Sequence, residues 1–129
     1  MKFSRSLACI FGVLAPLVET IRRWGTWLDD PPATLDDYLM GALLLVGAWA
    51  AGRTLWGHRL LAAAWGFTCG LGYSSVFEHI RRLRLGEVDP APVPSEVVLS
   101  IKVCGVVLAV VALAATVSSR VGAPGSPAA

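Results

Sequence analysis

Residues 60–77, LLAAAWGFTCGLGYSSVF, form an apolar stretch that contains no charged side chain. A helix of this length is about 27 Å long at 1.5 Å per residue, close to the roughly 30 Å hydrocarbon core of a bilayer. A helix of similar length on the surface of a soluble protein needs a polar face toward water, and this stretch has none. The stretch therefore predicts a membrane-spanning helix.

Small side chains recur at every fourth position of this stretch. On a helix, that spacing places them along one face. Such a face lets a neighbouring backbone approach closely, which is how helices pack where lipid is as apolar as leucine. The predicted helix-packing residues are Ala62, Gly66, Gly70 and Ser74.

The composition supports a membrane protein throughout. Hydrophobic residues make up 55% of the chain, charged residues only 16%, and the mean hydropathy is +0.63, well above a soluble domain. The net charge of +2 is too small and too evenly spread for a nucleic-acid partner. The three cysteines lie singly in apolar stretches, which favours buried thiols over a disulfide framework or a metal site.

Three further apolar stretches complete an all-α fold: an integral membrane bundle of four transmembrane helices, arranged as two helical hairpins. The first stretch starts like a signal peptide, but charged residues rather than a cleavage site follow it, so we expect it to be retained. The membrane domain spans residues 1–119, and we expect a disordered tail at residues 120–129. The predicted helices are residues 3–21, 35–56, 60–83 and 95–118.

The second helix rests on fifteen apolar residues, 38–52, a little short for a bilayer core of about 30 Å. The two prolines in residues 30–32 predict that no helix continues through this segment. Thr34 followed by Asp37 then resembles a capping box, so we expect the helix to start near Leu35. Extension to Trp56 would give a span of normal length, and residues 57–59 would form a tight turn into the third helix. Small residues of the second helix, such as Gly47, are candidates to face the third.

A shift of 59 residues aligns Glu19, Ile21, Arg22, Arg23, Asp30 and Pro31 with Glu78, Ile80, Arg81, Arg82, Asp89 and Pro90. Either a two-helix hairpin was duplicated, or two helices leaving the membrane on one side acquired similar charged ends. Both segments are predicted on one side because two spans separate them. Lys and Arg divide evenly between the sides, but all nine acids fall with these two segments. We therefore predict both termini in the cytoplasm.

Three ionisable residues lie closest to the membrane interior: Glu19, Glu78 and Lys102. A charge inside a bilayer is costly, so it needs a partner or a function. One hypothesis is a proton or cation relay in which Lys102 pairs with a glutamate. The alternative is that Lys102 reaches the interface and the glutamates pair along their own helices. The partners would be Arg22, Arg23, Arg81 and Arg82.

No catalytic or cofactor motif is present, so we predict a protein that is not an enzyme and carries no cofactor. The chain is similar in type to the small multi-pass inner-membrane proteins of bacteria. We expect a non-enzymatic accessory or oligomerising membrane protein, whose partners are the lipid bilayer and either a second copy or another membrane protein. The alternative is a small oligomeric transporter or channel that uses Glu19, Glu78 and Lys102.

Overall fold

The computed structural model describes residues 2–22, 24, 31–87 and 94–119, without the side chains of Arg22 and residues 31–34. Its elements are four helices: α1 (Lys2–Arg22), α2 (Pro31–Ala51), α3 (Leu55–Arg84) and α4 (Ser95–Ser118). No described residue lies in a strand. The predicted all-α class is therefore confirmed.

The helices run antiparallel in sequence order, with α1 against α2, α2 against α3, α3 against α4, and a narrower contact between α1 and α4. At one end, which we call the terminal end, Ser4 of α1 meets Thr116 of α4 through a hydrogen bond. At the opposite end, the loop end, Thr20 of α1 bonds Tyr38 of α2. The carboxyl ends of α1 and α3 consequently share the loop end of the bundle.

Three of the four helices are long and apolar enough to cross a membrane: residues Lys2–Ile21, Leu55–Arg84 and Ser95–Ser118. The sequence predicts four, and α2 is the exception among the described residues. Its apolar part, residues 38–51, is about 21 Å long. The expected extension to Trp56 does not form: α2 ends at Ala51, and Trp56 belongs to α3.

The start of α2 also differs from the prediction. The helix begins at Pro31, not near Leu35. The two prolines open the helix and do not precede it, because a proline has a helical φ and the missing N–H is not needed in the first turn. The predicted cap at Thr34 falls on a side chain outside the described set.

The turn between α2 and α3 lies at residues 52–54, earlier than the predicted 57–59. Thr54 has an extended backbone and its hydroxyl accepts a hydrogen bond from the Gly57 N–H at 2.9 Å, which makes it the N-cap of α3. Gly57 itself lies in the first turn of α3, against the backbone of Ala50. A Cβ on Gly57 would overlap the Ala50 carbonyl group, so only glycine fits there.

Close helix approach occurs mainly along α2. Between α1 and α2, a Cβ on Gly41 would lie 2.7 Å from the Gly12 carbonyl oxygen. On its other side, α2 places Gly47 against the backbone of Leu61 in α3. The core beside these contacts includes Leu44, Leu61 and Trp65, all fully buried. Gly47 thus faces α3 as predicted. It contacts α3 at Leu61, not at the predicted packing residues Ala62, Gly66, Gly70 and Ser74.

Several sequence predictions fall outside the described residues. They are the predicted disordered tail at 120–129, the side chain of Arg22 and all of Arg23, and those parts of the two aligned segments that lie in residues 25–30 and 88–93.

Candidate functional site

The predicted helix-packing residues lie on the outer side of α3. Gly66 and Gly70 are two positions before and after Thr68, which places each about 160° around the helix from it. Thr68 is buried in the bundle. A Cβ on Gly66 or Gly70 would meet no atom within 4 Å. Ser74 is exposed and Ala62 half-buried, so this outer face of α3 has room for a helix from outside the chain.

The predicted charge cluster divides between two locations. Glu78 accepts two hydrogen bonds from Arg81, at 2.9 and 2.8 Å, and one from Arg82 at 3.1 Å. These three side chains are exposed to similar extents on the last turns of α3. Glu78 therefore pairs along its own helix, which is the alternative to the relay hypothesis.

Lys102 instead lines a central cavity of about 200 Å³ to which all four helices contribute. The residues that line it include neither Glu19 nor Glu78. Its wall is mostly apolar, with Phe11 from α1 and Met40 from α2 among its members. Four side chains supply the polar part of the wall: Asp37, Thr68, Ser75 and Lys102.

Asp37 is the site residue that the sequence interpretation missed, because its place after Thr34 suggested only a capping role. A signal was present. Asp37, Met40, Leu44 and Ala48 recur at three- and four-residue spacing, which puts them on one face of α2. The last three are buried, so the same pattern places Asp37 toward the bundle axis.

The cavity can hold a small polar or charged group. Asp37 and Lys102 both line it, and neither side chain is without a polar or electrostatic partner. The Thr68 hydroxyl donates its hydrogen to the Ala64 carbonyl at 2.8 Å, so toward a bound group it can act only as an acceptor. Opposite charges on two facing helices would orient a zwitterion or a dipole placed between them.

A second polar cluster joins three helices near the terminal end. Trp65 Nε1 donates to Ser4 Oγ at 2.9 Å, and Ser4 Oγ lies 2.5 Å from Thr116 Oγ1. Thr116 donates its only hydroxyl hydrogen to the Ala112 carbonyl at 2.7 Å. Ser4 must therefore donate to Thr116. The result is one directed chain of hydrogen bonds from α3 through α1 to α4, with Ser4, Trp65 and Thr116 fully buried.

The two histidines lie near opposite ends of α3. His58 is in its first turns, and His79 is buried near its end, where Nε2 lies 2.9 Å from the Ser95 carbonyl oxygen. That contact holds the start of α4 against α3. Within residues 2–22, 24, 31–87 and 94–119, no three His, Cys, Asp or Glu side chains gather in the way that a metal site requires.

Comparison of the chain with known protein families, with curated proteins and with solved structures returned no match.

Proposed function

We propose that this chain is a small non-enzymatic protein of the bacterial inner membrane that acts by assembling with a second copy of itself or with another membrane protein. The contact surface would be the outer face of α3, defined by Ala62, Gly66, Gly70 and Ser74. All four helices cross the bilayer in this proposal. The apolar part of α2 is shorter than the bilayer core, and α2 crosses because it packs between α1 and α3.

The observation that carries the proposal is the open space beside Gly66 and Gly70. Glycine is unfavourable in a helix interior by roughly 1 kcal/mol relative to alanine. The glycines at the α1–α2 and α2–α3 contacts are explained by the close approach of a backbone within the chain. Gly66 and Gly70 have no such neighbour among the described residues, and a backbone from outside the chain would account for both.

The test is the double substitution Gly66→Ile and Gly70→Ile, measured by cross-linking in native membranes and by the mass of the protein–detergent complex. We expect an assembly in the unsubstituted protein and a monomer in the variant. A Cβ at either position meets no atom of another helix within 4 Å, so the new side chains start in the open space outside the bundle. Ala114→Ile, an exposed position on α4, is the matched control and should leave the assembly intact. An unchanged mass for the double variant would exclude this surface.

Both termini lie in the cytoplasm in this proposal. Supporting it, all nine acids of the sequence lie within residues 19–37 and 78–96, and those that the structure describes are at the loop end, although acids affect orientation only weakly. Reporter fusions at the C-terminus and within residues 90–94 would test the orientation. A periplasmic signal from the C-terminal fusion would reverse it.

The central cavity favours a second candidate function, a small oligomeric transporter or channel. Here Lys102 would act with Asp37, in place of the Glu19 and Glu78 expected from the sequence. Charged residues inside a membrane bundle commonly mark an ion or substrate path. The four polar side chains in the otherwise apolar wall of the cavity, two of them charged, are the specific observation that supports this candidate.

Purified protein in liposomes with an internal pH-sensitive dye and an imposed potassium diffusion potential would test proton flux. We expect flux from the unsubstituted protein and its loss in Lys102→Met and Asp37→Asn. Glu78→Gln removes a charge outside the cavity and should retain the flux. Equal flux from all four proteins would exclude the cavity as the path.

A further inference from the structure

The terminal end of the bundle carries positive charge without an acidic side chain among its described residues. Lys2, Arg5, Arg53 and Arg59 belong to this end, and every acid among the described residues belongs to the loop end. At the edge of a bilayer, an unbalanced group of cations attracts anionic lipid headgroups. Surface charge alone, however, does not make a site.

A groove between the start of α1 and the end of α2 gives this charge a defined shape. Its volume is about 450 Å³. From α1 it is lined by Lys2, Arg5, Ser6 and Cys9, which recur at three- and four-residue spacing on one helix face. From α2 it is lined by Leu45, Ala48 and Trp49, which also share one face.

Arg5 is fixed in place within this groove. Its Nε donates to the Ala48 carbonyl oxygen at 2.9 Å. Its guanidinium also lies against Gly52, where a Cβ would come within 2.5 Å of an Arg5 nitrogen. Because the bond to Ala48 uses one of five guanidinium N–H groups, the side chain is held in position and can still donate to a phosphate.

Trp49 extends the positive rim of the groove. The Arg53 guanidinium carbon lies 4.2 Å from the centre of the Trp49 ring, a cation–π distance. Trp49 is 63% exposed, and its amphipathic ring suits the headgroup layer. This contact holds Arg53 beside the groove as a third cation, in addition to Lys2 and Arg5, which line it.

We propose that this groove binds the phosphate headgroup of an anionic phospholipid. Lys2 and Arg5 contact the phosphate, with the Ser6 hydroxyl as a further donor. The acyl chains run along Cys9 and Leu45, which lie deeper along the two helices. A free phosphate would satisfy the cations but leave this apolar wall uncovered, so the amphipathic lining selects a lipid. The site is independent of the outer face of α3 and does not require self-association.

The experiment measures binding of phosphatidylglycerol to the full chain in a neutral detergent, with phosphatidylcholine as the neutral lipid and glycerol phosphate as the soluble source of the same phosphate. We expect saturable binding of one phosphatidylglycerol per groove. Phosphatidylcholine and glycerol phosphate should bind at least tenfold more weakly. Equal binding of phosphatidylcholine would exclude recognition of charge, and glycerol phosphate competing as well as the lipid would exclude the lipid as occupant.

Two substitutions test the groove itself. Lys2→Gln and Arg5→Gln should each weaken phosphatidylglycerol binding about fivefold, the effect of roughly one cation near an anionic surface. Arg59→Gln removes the same charge at the same end, outside the groove, and should weaken it less than twofold. Arg5 also bonds the end of α2, so Arg5→Gln changes both lipid binding and helix packing. Lys2→Gln leaves the Arg5 contact in place and tests binding alone. Equal losses for Lys2→Gln and Arg59→Gln would reduce the site to general surface attraction and overturn the proposal.

Discussion

Ser4 and Thr116 are 112 positions apart in the sequence, and their side-chain oxygens lie 2.5 Å apart in the core. With Trp65 donating to Ser4, this pair links α1, α3 and α4. It lies near the terminal end, where α1 and α4 have a narrower contact than the other neighbouring helices. The pair therefore supplies a specific polar contact between two helices that otherwise touch over a small area.

Substitution of Ser4 by alanine should destabilise the bundle by about 1–2 kcal/mol, because it leaves the buried Trp65 N–H without its acceptor. The measurement is unfolding in mixed micelles by titration with a denaturing detergent. Ser6→Ala, at an exposed position on the same helix, is the control and should unfold like the original protein. Equal stability of the two variants would show that the hydrogen-bond chain contributes nothing.

Alanine at Gly57 should impair folding far more strongly than alanine at Gly66. The new Cβ at Gly57 would overlap the Ala50 carbonyl group, and relief of such a clash costs about 3 kcal/mol or more. Gly66→Ala, on the same helix with no atom within 4 Å, should be neutral or stabilising. Folded yield and unfolding midpoint compare the two variants. A Gly57→Ala protein with the original midpoint would contradict the tight α2–α3 turn.

Replacement of Glu78 by glutamine should change stability by less than about 0.5 kcal/mol. Its contacts with Arg81 and Arg82 are exposed, and exposed ion pairs contribute little because water and salt screen them. Thermal unfolding in detergent at low and high salt provides the measurement. A loss of about 2 kcal/mol or more, approaching the cost of breaking a buried charge pair, would place Glu78 in a desolvated site instead.

The thiol of Cys104 should be protected from a water-soluble maleimide in sealed membranes. Cys104 is exposed on the surface of α4, about 14 Å from the start of that helix, so lipid should surround it. Cysteine introduced by Glu87→Cys, beyond the end of α3, should react under the same conditions in vesicles oriented with the loop end outward. Both sites should react after denaturation. Labelling of Cys104 at the rate of the introduced cysteine would show that water, not lipid, covers α4.

The helix pattern is largely predictable from the sequence because apolar length is a local property. The α4 bounds agree with the prediction, and those of α1 differ by one residue at each end. The errors concentrate on α2 and on the start of α3, which is Leu55 and not residue 60. Its prolines predict a break although they open the helix, and Gly57 resembles a turn residue although the turn precedes it. The actual role of Gly57, close contact with Ala50, depends on two helices meeting.

The candidate site is predictable only in part. Lys102 can be identified because a lysine in an apolar helix is conspicuous at any position. Its neighbour Asp37 cannot, since an acid near a helix start also fits a capping role. The buried spacing of Met40, Leu44 and Ala48 indicates the orientation of Asp37 only once the buried face of α2 is known.

The sequence by itself determined that the chain forms long apolar helices with most charged residues toward their ends, because hydrophobicity and charge act residue by residue. Only the tertiary structure decided which face of each helix turns inward. Glycines at Gly41 and Gly66 look alike in the sequence, yet one lies against the backbone of a neighbouring helix and the other faces outward. The physical reason is that packing depends on which surfaces meet, and contacts such as that of Ser4 with Thr116 join residues that no local pattern connects.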